Sequence, residues 1–227
     1  MPEKIFEDAA AAVWCADCLE HPGLWADADV LVTDPPYGIA WRQRNLRTKS
    51  GKSDSHPGIA SDSDTSARDR VLELWGPDRR AVVFGSPVMP PPAGTRQGLV
   101  FLKGVLSGVR GAFAGCRRDV EMIHLVGPWK AGIGGRSSVF TTMALTRAGS
   151  PQAQYGHPHA KPVDMVEELL SCVLAGETGL RVADPFAGSG SVLVAARNVG
   201  HRVVGVELVR GHCVTAGRRL GQGQLFV

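Results

Sequence analysis

The sequence predicts an α/β fold built on a doubly wound, mostly parallel sheet. Short apolar runs alternate along the chain with segments of helical spacing, which is typical of strands joined by helices. Most of these runs are continuously apolar, and this indicates strands that are buried on both faces. The chain has 227 residues, of which 44% are hydrophobic and 21% charged, as in an ordinary globular protein. We therefore expect one domain over residues 1–227.

The predicted elements lie on both sides of one long polar segment. Residues 42–69 are rich in Ser, Asp, Gly and Arg and lack apolar periodicity, so they predict a mobile loop of the kind that covers a binding site. Helices are predicted over 162–175, where apolar residues share one face, and over 191–199, which Gly200 ends. The predicted strands are 28–33, 81–84, 98–102, 120–126, 180–183 and 202–206.

Charge is distributed unevenly along the chain. Residues 1–41 carry eight acidic residues and one lysine, whereas residues 70–148 carry eleven basic and four acidic residues, a net charge of +7. Such a basic block suits the phosphates of a nucleic acid, and a solvated surface is the alternative. No apolar stretch is long enough to span a membrane and the first residues do not form a signal peptide, so we expect a cytoplasmic protein with no membrane partner.

The five cysteines predict neither disulfides nor a metal site. Their number is odd and their spacing irregular, which fits reduced thiols in the cytoplasm. Cys15 and Cys18 form a C-x-x-C pair, but no second pair at zinc-ligand spacing accompanies them. We therefore expect no metal.

A strand, a glycine turn and a helix follow one another near the carboxyl end of the chain. Gly188 and Gly190 let the backbone approach a ligand closely, and the start of the helix supplies N–H groups. The next predicted strand ends at Glu207, where a carboxylate is placed to accept hydrogen bonds from ribose hydroxyls. Position 193 is Leu instead of the third glycine of the dinucleotide fingerprint, so a dinucleotide is disfavoured. A tight turn without a ligand is the alternative.

The strand predicted at 28–33 stops abruptly at Asp34, Pro35, Pro36 and Tyr37. Two consecutive prolines remove two N–H donors and make a stiff turn whose carbonyl groups are free to accept. Asp34 and the Pro35 carbonyl can both accept from an exocyclic amino group, and Tyr37 offers a ring that stacks on a base. The pattern fits an amine on a planar ring, and a rigid turn with a packed tyrosine is the alternative.

These motifs resemble those of the amino-directed DNA methyltransferases that use S-adenosylmethionine (SAM), and the likeness spans most of the chain. Asp34 to Tyr37 looks like the catalytic tetrapeptide of that family, and residues 184–190 look like its SAM-binding loop. Residues 157–162, His-Pro-His-Ala-Lys-Pro, resemble the element that precedes this loop. The catalytic motif comes first, as in the β class, whereas RNA and protein methyltransferases with similar tetrapeptides usually have the opposite order.

The resemblance implies a Rossmann-like SAM-dependent methyltransferase fold with permuted motif order. Residues 1–126 correspond to a catalytic half, 127–156 to a short target-recognition segment, and 157–227 to a SAM-binding half. Asp17 is implied to receive the amino group of the SAM adenine. The implied catalytic residues are Asp34, Pro35, Pro36 and Tyr37, and the implied cofactor-binding residues are Asp17, Cys18, His157, Lys161, Asp184, Pro185, Phe186, Ala187, Gly188, Ser189, Gly190 and Glu207.

Some of these residues have simpler interpretations. Asp17 could only begin a turn, and His157 with Lys161 could only solvate the entry to a helix. His212 stands where relatives commonly carry a tyrosine at the adenine pocket, and a surface histidine is the simpler interpretation.

The function that the resemblance implies is transfer of a methyl group from SAM to the exocyclic N6 of adenine in double-stranded DNA, with the base flipped out of the helix. Asp at the first position of the tetrapeptide resembles the adenine enzymes, whereas Ser is commoner for cytosine N4. An N4-cytosine or RNA methyltransferase and a non-catalytic nucleic-acid-binding relative are the alternatives, and a homodimer is an open option. The predicted nucleic-acid-binding residues are Arg42, Arg44, Arg117 and Arg118.

Overall fold

The computed structural model of this chain describes residues 1–38, 64–103, 116, 119–129, 135–142 and 160–222. Within these ranges the chain forms nine strands and four α-helices. The strands are β1 Glu3–Glu7, β2 Ala11–Cys15, β3 Val30–Thr33, β4 Ala81–Gly85, β5 Thr95–Leu102, β6 Val120–Val126, β7 Val139–Thr141, β8 Arg181–Asp184 and β9 Arg202–Glu207. The helices are α1 Ser66–Trp75, α2 Val163–Val173, α3 Ser191–Asn198 and α4 Arg210–Gln222.

The described strands form one sheet in the order β1-β2-β9-β8-β3-β4-β6-β5-β7. Its centre, from β2 to β4, is parallel, whereas β1 and β6 each pair antiparallel to their neighbours. All residues of β3 and β4 are buried, as expected of strands covered on both faces. The predicted α/β fold class is confirmed.

The chain leaves two neighbouring central strands in opposite directions. After β8, the chain returns through α3 to β9 on one side, whereas after β3 it returns through α1 to β4 on the other side. The pairing of Val30 with Val182 joins β3 to β8 directly. This reversal is a topological switch point, and open α/β sheets bind ligands in the crevice outside the carboxyl ends of the strands there.

Each face of the sheet has its own apolar layer. On one face, α2, α3 and α4 bury Leu169, Leu193 and Leu220 against the strands. On the other face, α1 buries Trp75 against Trp25, and the two rings stack with centroids 6.3 Å apart. Apolar burial on both faces stabilises the central strands and fixes the edge at which their carboxyl ends emerge.

Several elements differ from the sequence predictions. Helix α1 begins at Ser66, inside the segment predicted as a loop, because Val71 and Trp75 lie one turn apart and are buried together. Strands β1, β2 and β7 were not predicted, and the charged ends of β1 are exposed. None of the helices in the described parts of the chain has the length and apolar character needed to cross a bilayer.

Candidate active site

Asp34 and Asp184 both lie at the switch point. Asp34 directly follows β3, Asp184 is the last residue of β8, and these two strands pair with each other. The Asp184 carboxylate is buried and accepts hydrogen bonds from Thr33 Oγ1 at 2.7 Å and from the Phe186 amide at 3.1 Å. Burial raises the pKa of Asp184 to about 7, although these two donors oppose the shift. Asp184 thus fixes the start of the glycine loop against β3.

The glycine loop is held by a carboxylate at the end of the adjacent strand. Glu207 Oε2 accepts from the Gly188 amide at 2.9 Å, and Oε1 accepts from the Val209 amide at 2.8 Å. Gly190 has a φ of +82° and is the N-cap residue that precedes α3, and a Cβ at this position would come within 2.8 Å of the Ala216 Cβ. The loop therefore needs glycine both for its backbone conformation and for its close approach to α4.

A buried arginine also holds this loop. Arg219 of α4 is 9% exposed and donates to the Ser189 carbonyl at 2.8 Å and to Ser191 Oγ at 3.1 Å. Sequence reasoning missed this residue, because an arginine near the end of a polar helix reads as a surface charge. Its position three residues after Ala216 places it on the face of α4 that packs against Gly190.

Asp17 follows β2 close to the point where the paired strand β9 ends. Cys15 pairs with Glu207 across β2 and β9, and the Ala16 amide donates to the Glu207 carbonyl at 3.0 Å. Asp17 Oδ1 accepts from the Leu19 amide at 2.8 Å, which makes a local turn. Cys18 is buried, and burial raises the pKa of its thiol to about 12. Its carbonyl accepts from the Trp25 indole at 3.0 Å.

His212 contacts the same carboxylate as the glycine loop. Its Nδ1 lies 3.8 Å from Glu207 Oε1. Burial alone would raise the pKa of Glu207, but His212 and the amides of Val209 and Gly188 lower it below its ordinary value. Glu207 is therefore ionised at neutral pH and is a strong acceptor.

The tetrapeptide residues Asp34 and Tyr37 meet a lysine from a distant part of the chain. Lys161 Nζ pairs with Asp34 Oδ2 at 2.5 Å, and Tyr37 donates to Asp34 Oδ1 at 2.8 Å. Lys161 is 5% exposed and lies 5.3 Å from the centre of the Tyr37 ring. The resemblance implies a cofactor-binding role for Lys161, whereas the described contacts of its ammonium group are in the Asp34 cluster.

A second carboxylate, which sequence reasoning missed, completes this cluster. Glu121 Oε2 lies 3.2 Å from the Tyr37 hydroxyl oxygen, and Glu121 pairs with Lys161 at 3.3 Å and with Lys103 at 2.6 Å. It lies at the start of β6, which runs antiparallel to β4 and therefore begins at the edge where β4 ends. A charged residue inside the apolar run 120–126 was the available signal, because a buried carboxylate is costly unless it is paired.

The pKa values of the two carboxylates in the cluster are shifted in opposite directions. Burial raises the pKa of Asp34, and Lys161 only partly offsets this effect. For Glu121, the charges of Lys161 and Lys103 outweigh burial and lower the pKa to about 2. Burial and the neighbouring carboxylates raise the pKa of Tyr37 well above its ordinary value, so the phenol keeps its proton. Glu121 is therefore a fixed negative charge beside Asp34.

The remaining predicted residues divide between this edge and segments outside the described ranges. Pro35 is buried after β3, and residues 185–189 form the turn between β8 and α3. His157, Arg42, Arg44, Arg117 and Arg118 lie outside the described residues, as does most of the predicted loop 42–69. Among the described residues, no group of three or more His, Cys, Asp or Glu side chains is arranged to hold a metal ion.

The sequence matches a protein family described as DNA methylase over residues 120–217. The Escherichia coli (strain K12) protein YubD, provisionally called a methylase, is 28% identical over 207 residues, which cover 87% of this chain and 81% of YubD. The match thus includes the segment before β6 as well as the glycine loop.

Two solved structures show the same fold. M1.HpyAVI, in its SAM complex, is 17% identical with a TM-score of 0.63, covering 92% of this chain and 98% of M1.HpyAVI. The cytosine-N4-specific PvuII DNA methyltransferase is 12% identical with a TM-score of 0.64, covering 96% of this chain and 88% of the enzyme. SAM is the methyl donor of the family that the motifs predict. Residues 120–217 thus match the DNA methylase family, and the fold is that of solved DNA methyltransferases, which is the class of enzyme that the motifs predict.

Proposed function

We propose that this protein transfers the methyl group of SAM to the N6 atom of adenine in double-stranded DNA. The observation that carries the proposal is the placement of the Asp34 carboxylate beside the glycine loop, at the ends of the two strands that form the switch point. An acceptor for the target amine and a cradle for a nucleoside thus share one crevice. The two halves 1–126 and 157–227, which β3 and β8 join, would act as a single domain.

The residues present fit SAM. A nucleoside needs acceptors for its hydroxyl and amino groups, and the carboxylates of Asp17 and Glu207 lie at the ends of the paired strands β2 and β9. Gly188 and Gly190 both have a positive φ, and Gly190 lies so close to Ala216 of α4 that a Cβ would not fit, so the shape of this loop depends on its two glycines. When bound, SAM supplies an electrophilic methyl group on a sulfonium ion.

Three groups of residues would hold this cofactor. The first is the loop itself, which consists of Asp184, Pro185, Phe186, Ala187, Gly188, Ser189 and Gly190. The second is the Asp17 turn, which Cys18 supports, and the third is His157 and Lys161, which precede α2.

On the substrate side, Asp34 and the Pro35 carbonyl would both accept from the exocyclic amino group. Two acceptors on one rigid turn hold the amine so that its lone pair leaves the plane of the ring, and this positioning is the main contribution of the protein to the rate. Pro36 keeps the turn rigid, and the Tyr37 ring would stack on the flipped base. An adenine inside the duplex is out of reach, so base flipping is required.

We expect double-stranded DNA to bind across the carboxyl edge of the sheet and its phosphates to be contacted by Arg42, Arg44, Arg117 and Arg118. The net charge of +7 over residues 70–148 supports a polyanionic partner. The likeness to the PvuII enzyme supports cytosine N4 as the second candidate target.

Nucleoside mass spectrometry tests the proposal. The protein is incubated with SAM and unmethylated genomic DNA, and the DNA is then digested to nucleosides. We expect N6-methyladenine. N4-methylcytosine would replace the adenine assignment by the second candidate, and methylation of RNA but not DNA would overturn the substrate class. A protein that binds SAM in calorimetry yet methylates neither nucleic acid would refute the proposed activity.

A further inference from the structure

Glu121 is a buried carboxylate that the methyl-transfer chemistry does not itself require. It is 8% exposed and contacts three polar groups, from Tyr37, Lys161 and Lys103. The strand that carries it pairs with β4 and β5, so its position is fixed by the sheet and not by a loop. Removing the charge of Glu121 alone is costly, because its buried partner groups are then left unpaired.

The two carboxylates of the cluster share one ammonium group. Lys161 Nζ lies 2.5 Å from Asp34 Oδ2 and 3.3 Å from Glu121 Oε2, and Tyr37 lies within hydrogen-bond distance of both acids. Lysine has three donors and can serve both acids at once. With Lys103 included, the two acids and two lysines of this cluster balance in charge.

Asp34 and Glu121 compete for the ammonium group of Lys161. Without the Glu121 charge, Lys161 would have Asp34 as its only acidic partner in the cluster and would be drawn fully onto it, as would the Tyr37 hydroxyl. A carboxylate whose charge is neutralised by a lysine held on it alone is a weaker acceptor for the target amine than one that shares this lysine with a second acid. We propose that Glu121 is a positioning residue for methyl transfer, which shares Lys161 and so keeps Asp34 a strong acceptor for the target amine.

This inference rests on the proposed function, because it assigns the target amine to Asp34. The charged and titratable groups that face Asp34 are Lys161 before α2, Glu121 on β6, Tyr37 in the same turn and Asp184 at the end of β8. Among them, the Glu121 charge raises the pKa of Asp34 and the Lys161 charge lowers it.

The decisive variant is Glu121→Gln, which keeps the shape and removes the charge. We expect kcat to fall at least tenfold with little change in KM for DNA or in the Kd of SAM. The pKa of Asp34, read from the side-chain carboxyl signal in ¹³C NMR of the unliganded protein, should fall, and the acidic limb of the kcat profile should move to lower pH. The matched control is Glu177→Gln, which breaks a partly buried ion pair with Arg80 and should change none of these values.

A second variant works in the opposite direction and keeps the proposal testable if Glu121→Gln does not fold. Lys103→Met removes the other cation from Glu121, so Lys161 is drawn towards Glu121 and the pKa of Asp34 should rise. Lys103 is about one quarter exposed, so the protein should tolerate this change.

Three outcomes overturn the inference. The first is a Glu121→Gln protein with unchanged kcat and unchanged Asp34 pKa, and the second is a pair of variants that shift this pKa in the same direction. The third, if only Lys103→Met folds, is an Asp34 pKa that does not rise. Failure of the proposed function is distinguishable, because a wild-type protein that methylates no DNA would still report the Asp34 pKa by NMR.

Discussion

Replacing Glu207 by alanine should weaken SAM binding by one to two orders of magnitude. The carboxylate accepts hydrogen bonds from the amides of Gly188 and Val209, one on the glycine loop and one at the entry to α4, so it joins the two segments at which we propose that SAM binds. A hydrogen bond to a charged group contributes about 1.5–3 kcal/mol, which corresponds to a ~10- to ~150-fold change in Kd.

Isothermal titration with SAM measures this change on wild type, Glu207→Ala and Glu207→Gln. The glutamine variant keeps one neutral acceptor and should lie between the other two. Glu73→Ala, on the exposed surface of α1, is the control and should bind as wild type does. Thermal unfolding of each variant separates loss of folding from loss of binding. A folded Glu207→Ala protein with a Kd within twofold of wild type would refute the reasoning, because Glu207 would then be only an acid at the end of a strand.

Three further predictions concern the loop, the buried acid and the DNA face. Arg219→Met should raise the Kd of SAM about tenfold in calorimetry, because the glycine loop loses its buried donor, whereas Arg218→Met on the exposed side of α4 should not. Asp184 has a folded pKa of about 7 against an ordinary value of 3.8, so the native state binds its proton more tightly. The free energy of unfolding from urea titrations should therefore fall as pH rises from about 4 to about 7, and Asp184→Asn should flatten this fall. DNA affinity plotted against salt on logarithmic axes should have a slope of about −5 for six phosphate contacts, and charge reversal at Arg117 and Arg118 should make it shallower; a flat plot would contradict a DNA face.

The sequence predicts the parts of the fold that local patterns encode. The buried strands β3, β4, β6, β8 and β9 are apolar runs, and α2 and α3 have one apolar face each, so all of them were predicted within a few residues. Strand β1 was missed because it is an exposed edge strand that begins and ends with charged residues. Helix α1 was missed because its apolar face is narrow and includes the stem of Arg68.

The residues of the candidate site likewise divide into those that local sequence patterns predict and those that they do not. Asp34 and Glu207 follow recognisable strands, so the parallel sheet alone predicts that they share one edge. The contact of Glu121 with Lys161 depends on the position and direction of β6 in the sheet, which are set by long-range pairing. The contact of Arg219 with Ser189 likewise requires α4 to dock on the loop. No local pattern carries such information.

The central claim is that Asp34 receives the target amine while the cofactor is held elsewhere in the crevice. Asp34→Ala tests it most directly, since Lys161 keeps Glu121 as a counter-ion in that variant. Methyl transfer from labelled SAM to DNA is measured in a single turnover, beside calorimetric titration of the same preparation with SAM. The account predicts a rate at least about a hundredfold below wild type with an unchanged Kd for SAM. Near wild-type transfer by Asp34→Ala would contradict it.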